Sequence, residues 1–450
     1  MRVLLLPHRY PPVGRGGVET WARNLANGLR KLGMHVSIAT RDDRGVGMPF
    51  AIHEDRIDEM SVFWINHRHG DARSYRDTWA DPRMGAALRS IIRTARPDVL
   101  HLAHPDGFGI EPLRIARDLG VPLVVTLHDA KWWCGRGQLV APGGTICETA
   151  NEERCLRCLE GQLSRGPLRA GLARVLPTSL RLRIASREDD APPESRRTPG
   201  PAARRRWRAR QAAMRTLLQG ADAVLSPSVF LADKAIAHGC DRPITILSNG
   251  VELITTGDEW PEWPLKIGWF GVPSPTKGLH ILLQAMRLLK PGSVTLELHG
   301  VTPDELVTLD PTAISPGVRA MGRYLSSEAT ARMASVHVVV VPSIWPENQP
   351  MVALEAQAAR RPLLASRIGG LPELIRDGKD GWLVPAGEAQ ALADQLETLA
   401  AQPNAVRAAA EAIRSPTNVE RFSRAHATHY ARVTESVFPA FDRESTSPPQ

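Results

Sequence analysis

VHVVVVPSIWPENQPMVALEAQAARRPLLASRIGGLPELIRDGKDGWLV, residues 336–384, decides how the chain is read. A β-branched run ends at Pro342-Ser343, a Pro-flanked loop holds Glu347, an Ala-rich stretch holds Glu355, and a second apolar run precedes the Gly369-Gly370 turn. That order is a βαβ unit with carboxylates at its mouth. In parallel α/β sheets ligands sit beyond the carboxyl ends of the strands, where helix N-termini present unpaired N–H groups to anions. Pro350 suits a first helical turn, which places Glu347 just before the helix and Glu355 in its second turn. Carboxylates so placed can accept from adjacent hydroxyls of one polyol, while the amides near Met351 and Val352 take a phosphate. Singly, each glutamate reads as readily as solvated surface charge; the ordered segment as a whole does not.

Working outward, PLKIGWFG, KGLHILLQAMRLL and VTLELHG supply strand, helix and strand just upstream, so residues 253–416 read as one doubly wound domain. Residues 1–252 read as another. RVLLLP is its first strand, VGRGGVETWARNLANGLRKLG a glycine loop with an amphipathic helix, and MHVSIAT the next strand; RPDVLHLAH and GVPLVVTLHD repeat the pattern. The alternation fails between Ala130 and Ala203, inside an insertion spanning 130–215 that is first Cys-rich and then Arg-rich. A helix over 417–441 and a frayed tail over 442–450 close the chain.

With 450 residues and 43% hydrophobic content, two full α/β cores are affordable. The first apolar run is too short for a signal peptide, and no run approaches the ~18 residues of a membrane helix, so the expectation is a soluble, cytoplasmic protein. Net charge is +8, yet residues 161–215 alone hold 14 Arg and 4 acids, leaving the remainder near neutrality. A local Arg surplus of this kind suits anionic lipid head groups or phosphorylated acceptors, or serves as plain solvated surface. Trp207 is the single aromatic within the Arg run, and no recognition module accompanies it, so nucleic acid is not expected.

Four constellations can carry chemistry. The Gly14 to Gly17 loop, with Gly16 and Gly17 at the helix start, lets a ligand approach backbone amides, or simply makes a tight turn; Glu19 in the third-glycine position argues against a nicotinamide enzyme. His128 ends a strand at the same crevice and can donate to a substrate hydroxyl. Lys277, before Gly278 and a helix, can neutralise phosphate. Cys134, Cys147, Cys155 and Cys158 suffice for a structural zinc, although the first two gaps are irregular and unliganded thiols remain the alternative. No Asp-x-Asp pair follows a strand, so no catalytic metal is expected.

GGVE at Gly16–Glu19, RPDVLH at Arg96–His101, TLHD at Thr126–Asp129, PSVF at Pro227–Phe230, NGVE at Asn249–Glu252, Lys277-Gly278, and the run from Glu347 through LPEL form one ordered set. On these motifs, spread from Arg2 to about Leu399, the chain resembles glycosyltransferase family 4, retaining enzymes of the GT-B fold. The resemblance implies two Rossmann-like domains facing across a cleft, with the last helix crossing back to the first. It implies that Glu347 lies near the transferred sugar, Glu355 on the nucleotide ribose and Lys277 on the diphosphate. The Gly16-Gly17 loop would close over the donor, and His128 would line the sugar site. One departure is Val272, where members of the family often carry Arg. The implied activity is hexosyl transfer from a nucleotide-diphosphate sugar to a glycan, lipid-linked or small-molecule hydroxyl, in polysaccharide or glycolipid biosynthesis. The Arg-rich insertion would then dock on an anionic inner membrane face. A catalytically weak carbohydrate- or membrane-binding relative, and an epimerase or phosphorylase on the same fold, are the competing readings.

Overall fold

The structure, a computed structural model, describes residues 1–14, 16–45, 47–163, 199–253, 260–310 and 317–437, with backbone alone at residues 69 and 437. The Arg-rich stretch 164–198 and the tail 442–450 therefore lie outside the described residues, as does 254–259 at the domain junction.

Two doubly wound sheets account for the core. The first contains β1 (Arg2–Leu6), β2 (His35–Asp42), β3 (Ile52–Ile57), β4 (Met60–Asn66), β5 (Val99–Leu102), β6 (Leu123–Thr126), β7 (Ala223–Ser226) and β8 (Ile244–Ile246). Their spatial order is β3-β4-β2-β1-β5-β6-β7-β8, and only the β3–β4 pair is antiparallel. Helical crossovers cover both faces, so strand residues must be apolar on both sides. Leu4 and Leu6 accordingly enter one core while Val3 and Leu5 enter the other.

The β3–β4 hairpin was not foreseen from sequence. IHEDRI is exposed along nearly its whole length, so it lacks alternating hydrophobicity. Its turn places Asp58 and Glu59 at φ 48° and 62°, without the glycine that normally advertises such a turn.

The second sheet contains β9 (Leu265–Phe270), β10 (Val294–His299), β11 (Val318–Ala320), β12 (Val338–Val341), β13 (Leu363–Ser366) and β14 (Gly381–Val384), ordered β11-β10-β9-β12-β13-β14 and wholly parallel. In β12, Val338 and Val340 join one core and Val339 and Val341 the other. Each such fully buried side chain contributes about 1.5–3 kcal/mol. The order reverses between β1 and β5 in the first sheet and between β9 and β12 in the second. Those reversals open a crevice at the strand ends, and the loops there carry the motifs.

The helix Val419–Val437 returns to pack on the helix Gly17–Lys31. Gly28 makes the close crossing possible, because a Cβ there would stand 1.9 Å from Ser423 Oγ. Tyr430 on the same helix bonds His101 Nδ1 at 2.6 Å, and His101 Nε2 bonds Thr126 Oγ1 at 2.7 Å, all of them buried. A polar chain thus threads from the last helix into the first sheet.

Candidate active site

The loops after β9 and β12 build one half of the crevice. Gly278, at φ +68°, sits where a Cβ would come within 1.8 Å of the Pro342 carbonyl, and the Ile344 amide donates to Thr276 O at 2.9 Å. These contacts hold Lys277 against the segment that follows β12. Lys277 Nζ lies 2.7 Å from Glu347 Oε1, and Ser343 Oγ donates to the same oxygen at 2.8 Å. The Trp345 ring stands 5.5 Å from the ammonium. Glu347 is only 4% exposed, so its charge is held by partners rather than by water. On its far side Gly369 and Gly370 press on the loop: a Cβ on either would meet the Glu347 or Asn348 carbonyl at 2.2 or 2.0 Å, and the Gly370 amide donates to Glu347 O at 2.7 Å.

The helix Met351–Ala358 starts directly beyond, capped by Pro350. Among the described residues neither the Met351 nor the Val352 amide has a backbone acceptor, whereas Ala353 N returns to Pro350 O at 3.0 Å. Glu355, in the second turn, is half-buried, and among the described residues no hydrogen bond or ion pair meets its carboxyl. Burial alone pushes its pKa up to about 7.

The other half comes from the ends of β1, β5 and β6. Gly16 caps the helix Gly17–Lys31, and Glu19 curls back so that a Cβ on Gly14 or Gly16 would stand 2.7 or 2.6 Å from its carboxylate. This loop reaches the opposite half, since a Cβ on Gly17 would meet Met351 Cγ at 3.8 Å. His128 sets its ring edge against Trp21 at 4.4 Å. Burial, with His104 adding to it, drives the His128 pKa down to about 3, so the ring is neutral, and among the described residues its Nε2 has no partner. Beside it Asp129 pairs with His104 Nε2 at 2.9 Å while the Asp106 amide donates to His104 Nδ1 at 3.1 Å. That places the imidazole proton on Nε2, facing the carboxylate. Burial raises the Asp129 pKa, but His104 and the Lys131 amide more than offset it and hold the acid below its ordinary range.

The two halves are latched by the motif residues themselves. Asn348 Nδ2 donates to the carbonyls of Leu127 and His128 at 3.2 and 3.1 Å, and its oxygen accepts from Ser228 Oγ. Gln349 Oε1 accepts from Asn249 N at 2.6 Å and Ser248 Oγ at 3.2 Å, and Asn249 Nδ2 returns a bond to Gln349 O at 3.1 Å. Glu373 accepts from the Val229 and Phe230 amides at 2.9 and 2.6 Å, a carboxylate on a helix N-terminus. Sequence reading quoted PSVF, NGVE, ENQP and LPEL without assigning Ser228, Asn249, Asn348 or Glu373 a task. Small polar residues grouped in one ordered set were the signal for this seam.

Cys134, Cys147, Cys155 and Cys158 do come together around one small apolar cavity, all as free thiols. Among the described residues no three His, Cys, Asp or Glu side chains stand in a metal-holding arrangement. Burial, then the neighbouring Cys134, Cys158 and Cys147, pushes the Cys155 thiol up to about 12, and the group packs as a protonated apolar side chain. The helix Pro201–Gly220 carries the described end of the Arg-rich segment. There Arg204 and Arg208 are held by Glu152, and Arg206 donates to Leu163 O at 2.7 Å. One carboxylate and one carbonyl thus engage three of the arginines at this described end.

A model of the glycosyl transferase 4-like domain matches residues 16–250, more than half of the chain, and one of the glycosyl transferases group 1 matches residues 264–402. The chain belongs to the glycosyl transferase 4-like family. This glycosyltransferase-family chain is 30% identical over 194 residues to a putative colanic acid biosynthesis glycosyltransferase of Salmonella typhimurium, covering 40% of this chain and 48% of that one. It is 33% identical over 150 residues to a phosphatidyl-myo-inositol mannosyltransferase of Mycobacterium leprae, covering 31% and 39%. The chain thus matches about half or less of the length of these curated relatives. Among solved structures, HepE of Anabaena bound to UDP superposes with a TM-score of 0.62 at 17% identity, over 96% of this chain and 100% of that one. Sucrose-phosphate synthase of Thermosynechococcus elongatus gives 0.65 at 16% identity, over 97% and 99%. The two facing doubly wound domains are the GT-B fold. Among the described residues no helix is long and apolar enough to cross a membrane.

Proposed function

We propose that the chain transfers a sugar from a nucleotide-diphosphate donor to an acceptor hydroxyl with retained anomeric configuration. The observation that supports this best is the Lys277–Glu347–Ser343 cluster, set at the strand-order reversal of one sheet and faced by the Gly16-Gly17 loop and neutral His128 of the other. A departing diphosphate gains negative charge, and the groups aimed at it are the Lys277 ammonium and the open Met351 and Val352 amides. Lys277 has three N–H donors, so it can bond phosphate without releasing Glu347. Glu355, once ionised, accepts from ribose hydroxyls. In a displacement on one face of the sugar, the anomeric carbon loses its phosphate oxygen and gains the acceptor oxygen, and the acceptor proton passes to the departing phosphate. Neutral His128, with its unpartnered Nε2, lines the sugar pocket.

The relatives named for colanic acid biosynthesis and for phosphatidyl-myo-inositol mannosylation favour a glycan or glycolipid acceptor. For a lipid-linked acceptor the proposal extends to a peripheral seat on the inner membrane face through the Arg-rich insertion. Flotation that ignores the anionic lipid content of liposomes would remove that extension.

Donor turnover is the direct test. Purified protein should release nucleotide diphosphate from one member of a nucleotide-sugar panel, and Glu347→Gln should slow that release by on the order of a hundred-fold or more. No release from any donor, with Glu347→Gln binding donors as the parent does, would overturn the reading. An NMR spectrum of the product reports whether the anomeric configuration is kept.

A further inference from the structure

A cavity of about 400 Å³ lies in the first domain beyond the ends of β4, β5 and β6, beside the His104–Asp129 pair. Three groups in its wall each keep a donor that no partner among the described residues takes. Arg210 is 5% exposed; one nitrogen of its fork donates to the Lys131 carbonyl, and the other, Nη1, has no partner. The Tyr75 hydroxyl and the Trp79 indole N–H on the same wall are likewise buried without partners. Lys131 and Arg136 add two more cations at the cavity. Asp106, the one carboxylate there, is already shared between Arg41 at 3.1 Å and Lys131 at 3.4 Å. Among the described residues no ion pair reaches Arg210. A guanidinium taken out of water without a counter-charge is unfavourable, and so is each orphaned N–H or O–H beside it. Arg and Trp can only donate, so the missing partner must be an acceptor.

We propose that this cavity holds the acceptor sugar of the reaction and that the acceptor carries an anionic oxygen-rich group, a carboxylate or a phosphate ester, seated against Arg210. The inference rests on the glycosyl-transfer reading for its word acceptor; the anion site itself does not. Trp79 and Tyr75 offer ring faces for the sugar. Arg210 lies on the helix Pro201–Gly220, so the insertion would contribute acceptor choice from this helix.

Titration of the UDP-saturated protein with glucuronic acid, glucose 1-phosphate and glucose tests the idea by NMR shift changes. At least one charged sugar should bind about ten-fold or more tightly than glucose, and whichever does so identifies the group as carboxylate or phosphate. Arg210→Met should bring it down to the level of glucose with UDP affinity unchanged, and Arg210→Lys should keep part of the preference. Since Arg210 is buried, Trp79→Phe serves as a gentler variant, expected to weaken the charged sugar several-fold while leaving glucose as it was. Equal binding of all three sugars, or a preference that survives these changes, overturns the proposal. If UDP does not bind but the charged-sugar preference follows Arg210, the anion site stands and the glycosyl-transfer reading falls.

Discussion

The seam between the domains and the wall of the first-domain cavity both bury polar side chains, and they finish them differently. Asn348 at the seam is 9% exposed and spends both ends of its amide on Leu127, His128 and Ser228. Arg210 in the wall is 5% exposed and leaves half its fork unspent. A buried polar group that is satisfied within the chain holds the fold, whereas one left unsatisfied in a cavity wall can take an outside partner, although the seam also keeps one such atom, Asn249 Oδ1. Glu347 belongs to the first kind, with Lys277 and Ser343 on one oxygen, and Glu355 to the second. The two glutamates that look alike in sequence are thus prepared differently: Lys277 and Ser343 both meet the carboxyl of one, while burial raises the pKa of the other to about 7.

The largest effect should come from corrupting the seam. Asn348→Asp replaces two donated bonds with a carboxylate aimed at the Leu127 and His128 carbonyls, at a cost of about 3 kcal/mol or more. Ser228→Ala, which removes the bond to Asn348 and the N-cap acceptor of the Leu231 amide, should cost about 2 kcal/mol. Because two domains need not melt together, amide exchange at the seam is a better measure than a single melting temperature. Protection that stays at the parental level in Asn348→Asp would show that the latch is incidental.

Glu355 gives a smaller effect with a definite sign. Its folded pKa of about 7 lies above the ~4.3 of an unfolded glutamate, so the folded chain binds the proton more tightly. Its stabilising contribution is full below the unfolded value and is lost as pH rises through about 7. Ligand-free protein should therefore lose on the order of 1–3 kcal/mol across that window, and Glu355→Gln should flatten the curve. Nucleotide affinity should run the other way, since only the ionised form accepts from both ribose hydroxyls. UDP should bind up to about ten-fold more tightly at roughly pH 8 than at roughly pH 6. A flat UDP profile that matches Glu355→Gln would take Glu355 out of the nucleotide site.

Much of the fold was legible because β12 and its neighbours are apolar on both faces, and runs such as VVVV closed by Pro342 admit few other readings. The β3–β4 hairpin escaped because an exposed edge strand has no core face to print a pattern. Within the site, the placement of Glu347 and Glu355 relative to Pro350 was readable from spacing alone, but the difference between their surroundings was not. It depends on which side chains from β9, β12 and their loops arrive at each carboxyl, and contacts across 70 positions, such as Lys277 to Glu347, leave no local trace. The cysteines differ in kind: their spacing is local and suggested a metal, whereas the Leu139 and Leu159 side chains that share their cavity, and the burial that raises the Cys155 thiol to about 12, come from the fold. Arg210 was counted among the surplus charge of its segment, and only burial separates it from Arg205, which is exposed.

The smallest effect concerns the cation missing after Gly271. Val272 is 63% exposed, and the strand end that presents it is fixed, since a Cβ on Gly300 would meet the Gly271 carbonyl at 2.0 Å. Val272→Arg therefore adds charge at the crevice without disturbing the core. An exposed guanidinium is well solvated, so its attraction for a diphosphate is worth ~0.2–1 kcal/mol, or at most about a five-fold gain in UDP affinity that fades as salt is raised. Turnover should not rise in step, because a cation that holds the donor diphosphate also holds the departing one. If UDP affinity does not move even at low salt, the open amides at Met351 and Val352 together with Lys277 already neutralise the diphosphate. The valine would then mark a site whose charge balance is complete without the family's arginine.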